Sequence, residues 1–413
     1  MTQGLSSDGL SEAACGDVLR SLLGAALSAH RGTETPPAWD ASVPLDSLER
    51  LHLAASVNAF FRLHETGTED RLLLLRDVDD WIAFVAEAVG ATSGLAFQTS
   101  GSTGAPTSHV HPWAHLASEA EALHQRLTEV APIERVVAWL PLHHLYGFML
   151  GVALPEQMGV PRVWAQTAAP PAFGVGDLLV TVPPRWDYLA RTRTERTRAN
   201  ADWPTPILGV SSTATLAPAT HAALLGQDLP EDRTGDLTRG LAANLTGEPS
   251  KGLSGLLDIY GSTETGGIAT RWQPDAPYTL LAQWQRHDAT QLRHRSGAIV
   301  PLPDRTEWLD ERRLRLGERY DAAISIGGVN VSPTHVAQRL QALASVATCA
   351  VRPTSAAAPR LKAFVVPVAG EAEAEADIAR ATAQWPAAER PVSITYGASL
   401  PRTALGKLSD WPT

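Results

Sequence analysis

The sequence predicts an α/β protein: a parallel-sheet large domain followed by a small α+β carboxyl-terminal domain, and preceded by a small helical bundle. Three observations carry this. The first 90 residues repeat apolar positions at helical spacing, whereas from Gly94 short apolar strands alternate with helices. After Arg319 the order changes to strand, helix and two further strands. The expected boundaries are 1–92, 93–318 and 319–413.

Each element has a local reason. Ala13 to His30 is apolar on one helical face. Leu48, Leu51, Leu53, Ala54, Val57 and Phe60 resume that pattern after a Pro/Thr-rich loop from Gly32 to Val43. Asp46 and Ser47 stand at the loop-to-helix junction, where either side chain serves as an N-cap. Val78 to Val85 closes the bundle. Gly94 to Gln98, Val136 to Leu140, Leu178 to Val182, Thr205 to Val210 and Leu257 to Tyr260 read as strands of a sheet covered by helices on both faces. Ile324 to Val331, Thr348 to Arg352 and Lys362 to Pro367 read as strands of the last domain. Pro333 to Ala344 and the Ala/Glu-rich stretch from Ala369 to Ala383 are its expected helices.

Composition narrows the function. A chain of 413 residues with 44% hydrophobic content has room for two or three cores. Its net charge of −10 argues against a nucleic-acid partner, since phosphate binding needs a basic surface. Cys15 and Cys349 lie far apart without metal-ligand spacing, so both are expected as free thiols. The chain opens without a basic segment leading into an apolar one, and no apolar run approaches the ~20 residues that span a bilayer, so a cytoplasmic location is expected. Only three lysines occur, Lys251, Lys362 and Lys407, which makes the position of each informative.

The chemistry-bearing stretch is Thr99-Ser100-Gly101-Ser102-Thr103-Gly104. Glycines let backbone N–H groups approach phosphate oxygens, and Ser and Thr add donors. The run lacks the Gly-Lys-Ser/Thr ending of a Walker loop, which excludes that class of nucleotide site. Two further stretches follow in order, Tyr260-Gly261-Ser262-Thr263-Glu264-Thr265-Gly266 and Pro401-Arg402-Thr403-Ala404-Leu405-Gly406-Lys407. Together the three resemble the signatures of the adenylate-forming superfamily of acyl-CoA synthetases, over residues 94 to 413.

The resemblance implies a large adenylation domain, a small mobile carboxyl-terminal domain, and the cofactors ATP and Mg²⁺. By it, Thr99 to Gly104 embrace the outer phosphates, Thr263 meets the α-phosphate, and Glu264 ligates Mg²⁺. Ser212 and Thr213 belong to the adenine-side loop, with Tyr260 and Gly261 in the nucleotide site. Asp304 accepts the ribose hydroxyls, although Leu302-Pro303 precede it where the family has Thr-Gly. Arg319 opens the hinge and Asp321 is the hinge residue. In Leu140-Pro141-Leu142-His143-His144-Leu145-Tyr146-Gly147, His144 matches the histidine beside the acyl carboxylate and the thiol path, while His143 reads as a packed core residue. Lys407 matches the lysine that draws carboxylate and α-phosphate together; a point charge on a flexible stem suits that task. One departure is plain: the family's phosphate loop ends in Pro-Lys, and this chain has Pro106-Thr107, with His109 and His111 nearby.

A second resemblance lies in Leu45-Asp46-Ser47-Leu48, which is similar to the modification site of acyl carrier proteins. It implies a phosphopantetheine on Ser47, although Pro44 stands where carriers have glycine. The expected activity is ATP-dependent activation of an aryl, short or medium acyl carboxylic acid as acyl-AMP. Transfer follows to a phosphopantetheine thiol, either coenzyme A or that of the chain's own or a separate acyl carrier protein. The rival is a degenerate, non-catalytic synthetase acting as a nucleotide- or carrier-binding scaffold, and a third possibility is an amine acceptor.

Overall fold

The computed structural model describes residues 9–33, 45–98, 107–197, 206–214, 216–226, 252–319, 324–326, 329–354, 360–403 and 408–412, with backbone alone at 193–197, 318–319, 325 and 329–330. The chain divides into two compact units. Of the described residues, those of 9–98, 107–285 and 293–298 form the larger; those of 286–292 and from 299 onward form the smaller. The smaller unit thus begins ahead of the expected 319 and takes in the β-hairpin from Asp304 to Arg319.

The larger unit opens with helices α1 (Glu12–Arg31), α2 (Ser47–Phe61), α3 (Arg71–Leu74) and α4 (Val78–Ala88). Ser11 caps α1 through its hydroxyl. The α2 cap is Asp46, whose carboxylate accepts the Glu49 N–H at 2.8 Å while Glu49 accepts the Asp46 N–H at 3.0 Å. Arg31 grips the same Glu49 carboxylate at 2.6 and 2.9 Å and holds it down at about 2. These helices were expected as a separate bundle ending at residue 92, and the structure corrects that. Leu19, Leu53, Phe61 and Val85 share one continuous core with Phe97, Leu116 and Phe148 from beyond the expected boundary. Phe97 packs between Phe60 and Phe148, with ring centroids 5.2 and 5.5 Å away. The core among the helices runs on into these later residues without a break.

The main sheet of this unit runs β9-β8-β7-β6-β5-β3-β4. β3 (Arg135–Ala138), β4 (Arg162–Trp164), β5 (Asp177–Val180), β6 (Leu208–Ser211) and β7 (Gly255–Ser262) are parallel. β8 (Gly266–Arg271) and β9 (Tyr278–Leu280) are antiparallel. β3, β5 and β6 are nearly continuous apolar runs, as strands covered on both faces require. One strand departs from expectation. β1 (Gly94–Gln98) pairs antiparallel with β2 (Ser108–Pro112) as a hairpin, outside the parallel sheet. The nine residues between them are too few for a crossover, which needs a dozen or more.

Helix α5 (Trp113–Thr128) follows β2. A helical stretch follows β3: α6 (Leu145–Phe148), a π-turn over Met149–Ala153, and α7 (Leu154–Met158). It presses against the end of β3 at Gly147, where a Cβ would stand 2.0 Å from the Pro141 carbonyl oxygen. α8 (Pro183–Thr197) and α9 (Pro218–Leu225) cover the sheet beside β5 and β6. No helix among the described residues is long and apolar enough to cross a membrane.

The smaller unit contains the hairpin Asp304–Trp308/Arg313–Arg319, a second hairpin Ile324–Ile326/Val329–Val331, and a three-stranded sheet. In that sheet Leu361–Pro367 lies between Val346–Pro353, antiparallel, and Pro391–Tyr396, parallel. Helices Pro333–Gln341 and Glu371–Thr382 pack on it through Val336, Leu340 and Ile378. Its polar anchor is Lys362, 1% exposed, which donates to the Trp411 carbonyl and pairs with Asp410 at 2.9 Å. Arg352 donates to the Leu408 carbonyl at 2.6 Å. Replacing Lys362 with methionine is expected to cost about 1–3 kcal/mol of stability, since charge-assisted hydrogen bonds to a buried group are lost. A thermal melt that leaves Lys362→Met unchanged would contradict the anchoring role.

Candidate functional site

In open parallel sheets, ligands bind beyond the carboxyl ends of strands, where the strand order reverses. Here the chain leaves β3 toward β4 on one side and returns to β5 on the other, so that point falls at β3 and β5. The segments following β3, β5, β6 and β7 carry His143-His144, Thr181, Ser212-Thr213 and the Ser262–Glu264 turn. Tyr146 ties two of these ends together. Its hydroxyl bridges the Thr181 and Val210 carbonyl oxygens, both at 3.0 Å, and burial pushes its pKa well above the usual tyrosine range.

The two adjacent histidines sit differently. His143 Nδ1 lies 2.8 Å from the hydroxyl of Ser21, which also accepts the Leu142 N–H at 2.9 Å. Burial holds His143 neutral, well below the ordinary histidine range. His144 stands at the start of α6, its ring 4.3 Å from that of His143. The hydroxyl of Ser212 donates to the Ile259 carbonyl at 2.8 Å, joining the β6 end to β7. Thr213 has φ +77°, a left-handed conformation that a β-branched residue adopts only under constraint, and such outliers concentrate at ligand sites.

Tyr260 is buried on β7, its ring 5.8 Å from Tyr278, and Gly261 lies so close to β8 that a Cβ would meet the Gly266 carbonyl oxygen at 2.2 Å. The turn beyond is closed by hydroxyls: the Ser262 and Thr265 side-chain oxygens are 3.0 Å apart. His111, from β2, donates its Nε2 hydrogen to the Thr263 carbonyl at 2.7 Å. Burial lowers the His111 pKa, so this imidazole is a neutral brace and not the cation that Thr107 lacks. His109 Nε2 is 3.1 Å from the Thr107 hydroxyl and 3.8 Å from Glu264 Oε1. The Glu264 side chain is 51% exposed, leaving a hard oxygen donor at the surface of the turn.

In the smaller unit, Asp304 stands opposite Arg319 on the first hairpin. Pro401–Thr403 and Leu408 flank Lys407 in sequence, and Arg402 bridges to Leu408. Thr99 to Gly104, Asp321 and Lys407 lie outside the described residues, as does the Arg319 side chain. Ser47 is exposed at the first turn of α2, and the capping that its surroundings explain is performed by Asp46. His111 was legible only as a residue near Thr107, not as a donor to Thr263, and Glu119 on α5 was not legible at all: one acidic residue between Leu116 and Ala120 of an amphipathic helix carries no local signal.

The chain is 42% identical over 416 residues to a 4-coumarate–CoA ligase of Halorhodospira halophila, a match covering 95% of this chain and 97% of the relative. It is 35% identical to a 4-coumarate–CoA ligase of Rhodobacter capsulatus, covering 92% of this chain and 93% of the relative. Among solved structures, ATP-bound MatB from Rhodopseudomonas palustris superposes with a TM-score of 0.53 at 16% identity, over 95% of this chain and 91% of that one. O-succinylbenzoate coenzyme A synthetase from Bacillus subtilis, in complex with AMP, gives a TM-score of 0.53 at 14% identity, over 96% and 91%. No family model matches the chain. The order of its motifs, its parallel-rich sheet with a small carboxyl-terminal unit, and its full-length relatives agree: the chain belongs to the adenylate-forming superfamily of AMP-forming acyl-CoA synthetases.

Proposed function

We propose that this chain activates an aromatic acid of the 4-coumarate kind as its acyl-AMP and passes the acyl group to coenzyme A. The observation that carries the reading is the full-length likeness to 4-coumarate–CoA ligase, 42% identical over 95% of the chain. Activation joins a carboxylate oxygen to the α-phosphorus of ATP and releases pyrophosphate; the thiol then attacks the acyl carbon and AMP leaves. Thr99 to Gly104 hold the outer phosphates and Thr263 the α-phosphate. Ser212, Thr213, Tyr260 and Gly261 line the adenosine side, and Asp304 receives the ribose. Arg319 and Asp321 serve the hinge, Lys407 offsets the repulsion between the two anions, and His144 sits beside the acyl carboxylate.

Mg²⁺ fits Glu264, whose exposed carboxylate is the hard oxygen ligand that this ion prefers alongside phosphate oxygens and water. Bound there, it would neutralise charge on the phosphates. Among the described residues no cluster of three or more His, Cys, Asp or Glu is arranged to hold a metal alone.

The acceptor thiol comes from outside the chain. Both of its cysteines are buried, with burial pushing Cys15 up to about 12 and Cys349 up to about 11. Neither supplies a thiolate near neutral pH. Coenzyme A is favoured over Ser47-borne pantetheine because Asp46 already has a full capping role and α2 packs into the ligase core.

The test is pyrophosphate release with 4-coumarate, cinnamate and short acids, run with coenzyme A and, separately, after treatment with a phosphopantetheinyl transferase. Acyl-coenzyme A formed without any mass gain on the protein is the expected result. An acyl-pantetheine increment at Ser47 would transfer the reading to a carrier, and no pyrophosphate with any acid would favour the scaffold.

A further inference from the structure

Beneath the Ser262–Gly267 turn lies a carboxyl group that the proposed chemistry does not use. Glu119, on α5, is 8% exposed. No ion pair reaches it among the described residues, and burial raises its pKa to about 7. An apolar residue would fill such a position at lower cost, because burying a charge without a partner is expensive.

What its oxygens touch is the main chain of the motif. A Cβ at Gly266, where φ is +76°, would stand 2.3 Å from Glu119 Oε2, and one at Gly267 would stand 2.8 Å from Oε1. The Gly267 N–H dipole faces the Glu119 carboxyl and favours its charged form, against the effect of burial. The Gly267 carbonyl in turn accepts Gln283 Nε2 at 3.2 Å and Trp284 Nε1 at 2.8 Å. At the other end of the turn, His111 holds the Thr263 carbonyl at 2.7 Å. The two glycines leave the room that the carboxyl fills, and Glu264 is the exposed residue between the two grips.

We propose that Glu119 is a positioning residue for the nucleotide site: its carboxyl, locked against Gly266 and Gly267, fixes the turn that presents Thr263 and Glu264 to Mg·ATP. This rests on the reading of that turn given above. Groups that orient a metal ligand from behind commonly change affinity by about 10–100-fold when altered.

The test is calorimetric titration of Mg·ATP, in the absence of acid, into the wild type and the variants Glu119→Gln, Glu119→Asp and Glu119→Leu. Gln keeps an oxygen packed against Gly266 and Gly267, whereas Asp withdraws it and Leu removes it. A Kd within about twofold for Gln, and weakened about tenfold or more for Asp and Leu, is expected. The KM for the acid should stay within about twofold in all three. Equal affinity in every variant would overturn the positioning role while leaving the nucleotide site intact, as would a Gln variant impaired like Leu. If Leu does not fold, the Gln–Asp pair decides on the same criterion. A wild type that binds no Mg·ATP would overturn the reading of the turn and this inference with it.

Discussion

Replacing Lys407 with alanine is expected to lower acyl-AMP formation by at least about 10²–10³-fold, the range seen when a single group that stabilises developing charge is removed. The reaction brings a carboxylate against a phosphate, and no neighbouring lysine takes over. Lys362, the other lysine of the smaller unit, is buried and committed to Asp410 and the Trp411 carbonyl. Thioester formation from supplied acyl-AMP should be far less affected, because by then the phosphoryl bond has formed. Pyrophosphate exchange measures the first step and synthesis from prepared acyl-AMP the second. Full exchange activity in Lys407→Ala would remove the role given to this residue.

Changing Glu264 to glutamine is expected to cost about 10²-fold in the same exchange assay and to raise the Mg²⁺ concentration needed for half-maximal rate. The stretch read as the phosphate loop runs into Pro106-Thr107 and brings no lysine, so on the proposed reading more of the neutralisation would fall to the metal. The histidines do not make up the difference in kind: His111 is a buried neutral donor to Thr263, and His109 stands 3.8 Å from Glu264 itself. An unchanged Mg²⁺ dependence in Glu264→Gln would place the ion elsewhere.

How far the sequence reached depended on whether a residue's partner was local. The Tyr260–Gly266 stretch was legible as a turn after a buried strand, because its glycines and hydroxyls are local signals. The setting of His143 could not be read locally, because the group that engages its ring is Ser21, 122 residues away in sequence. The N-terminal helices were legible as helices, yet their helical spacing does not say what covers the apolar face. Here it is Phe97, Leu116 and Phe148 of the larger unit. β1 read correctly as a strand and wrongly as a parallel one, since strand propensity is blind to pairing direction. Glu119 was silent for the same reason: its partners, Gly266 and Gly267, stand at the far end of the unit in sequence, beyond β7.

The tail shows what the role given to Lys407 asks of residues with no chemistry of their own. In sequence Lys407 immediately precedes Leu408, which bridges to Arg402 and takes a hydrogen bond from Arg352, and Asp410 and Trp411 are fastened to Lys362. Cutting the chain after Lys407 would keep that lysine in the polypeptide and delete every one of these moorings. Its ammonium group would then have to find its station by diffusion of a loose end. If Lys407 has the role proposed for it, residues 408 to 411, which carry no reacting atom, are as necessary to activity as the lysine, and a truncation after Lys407 is expected to lose acyl-AMP formation as Lys407→Ala does.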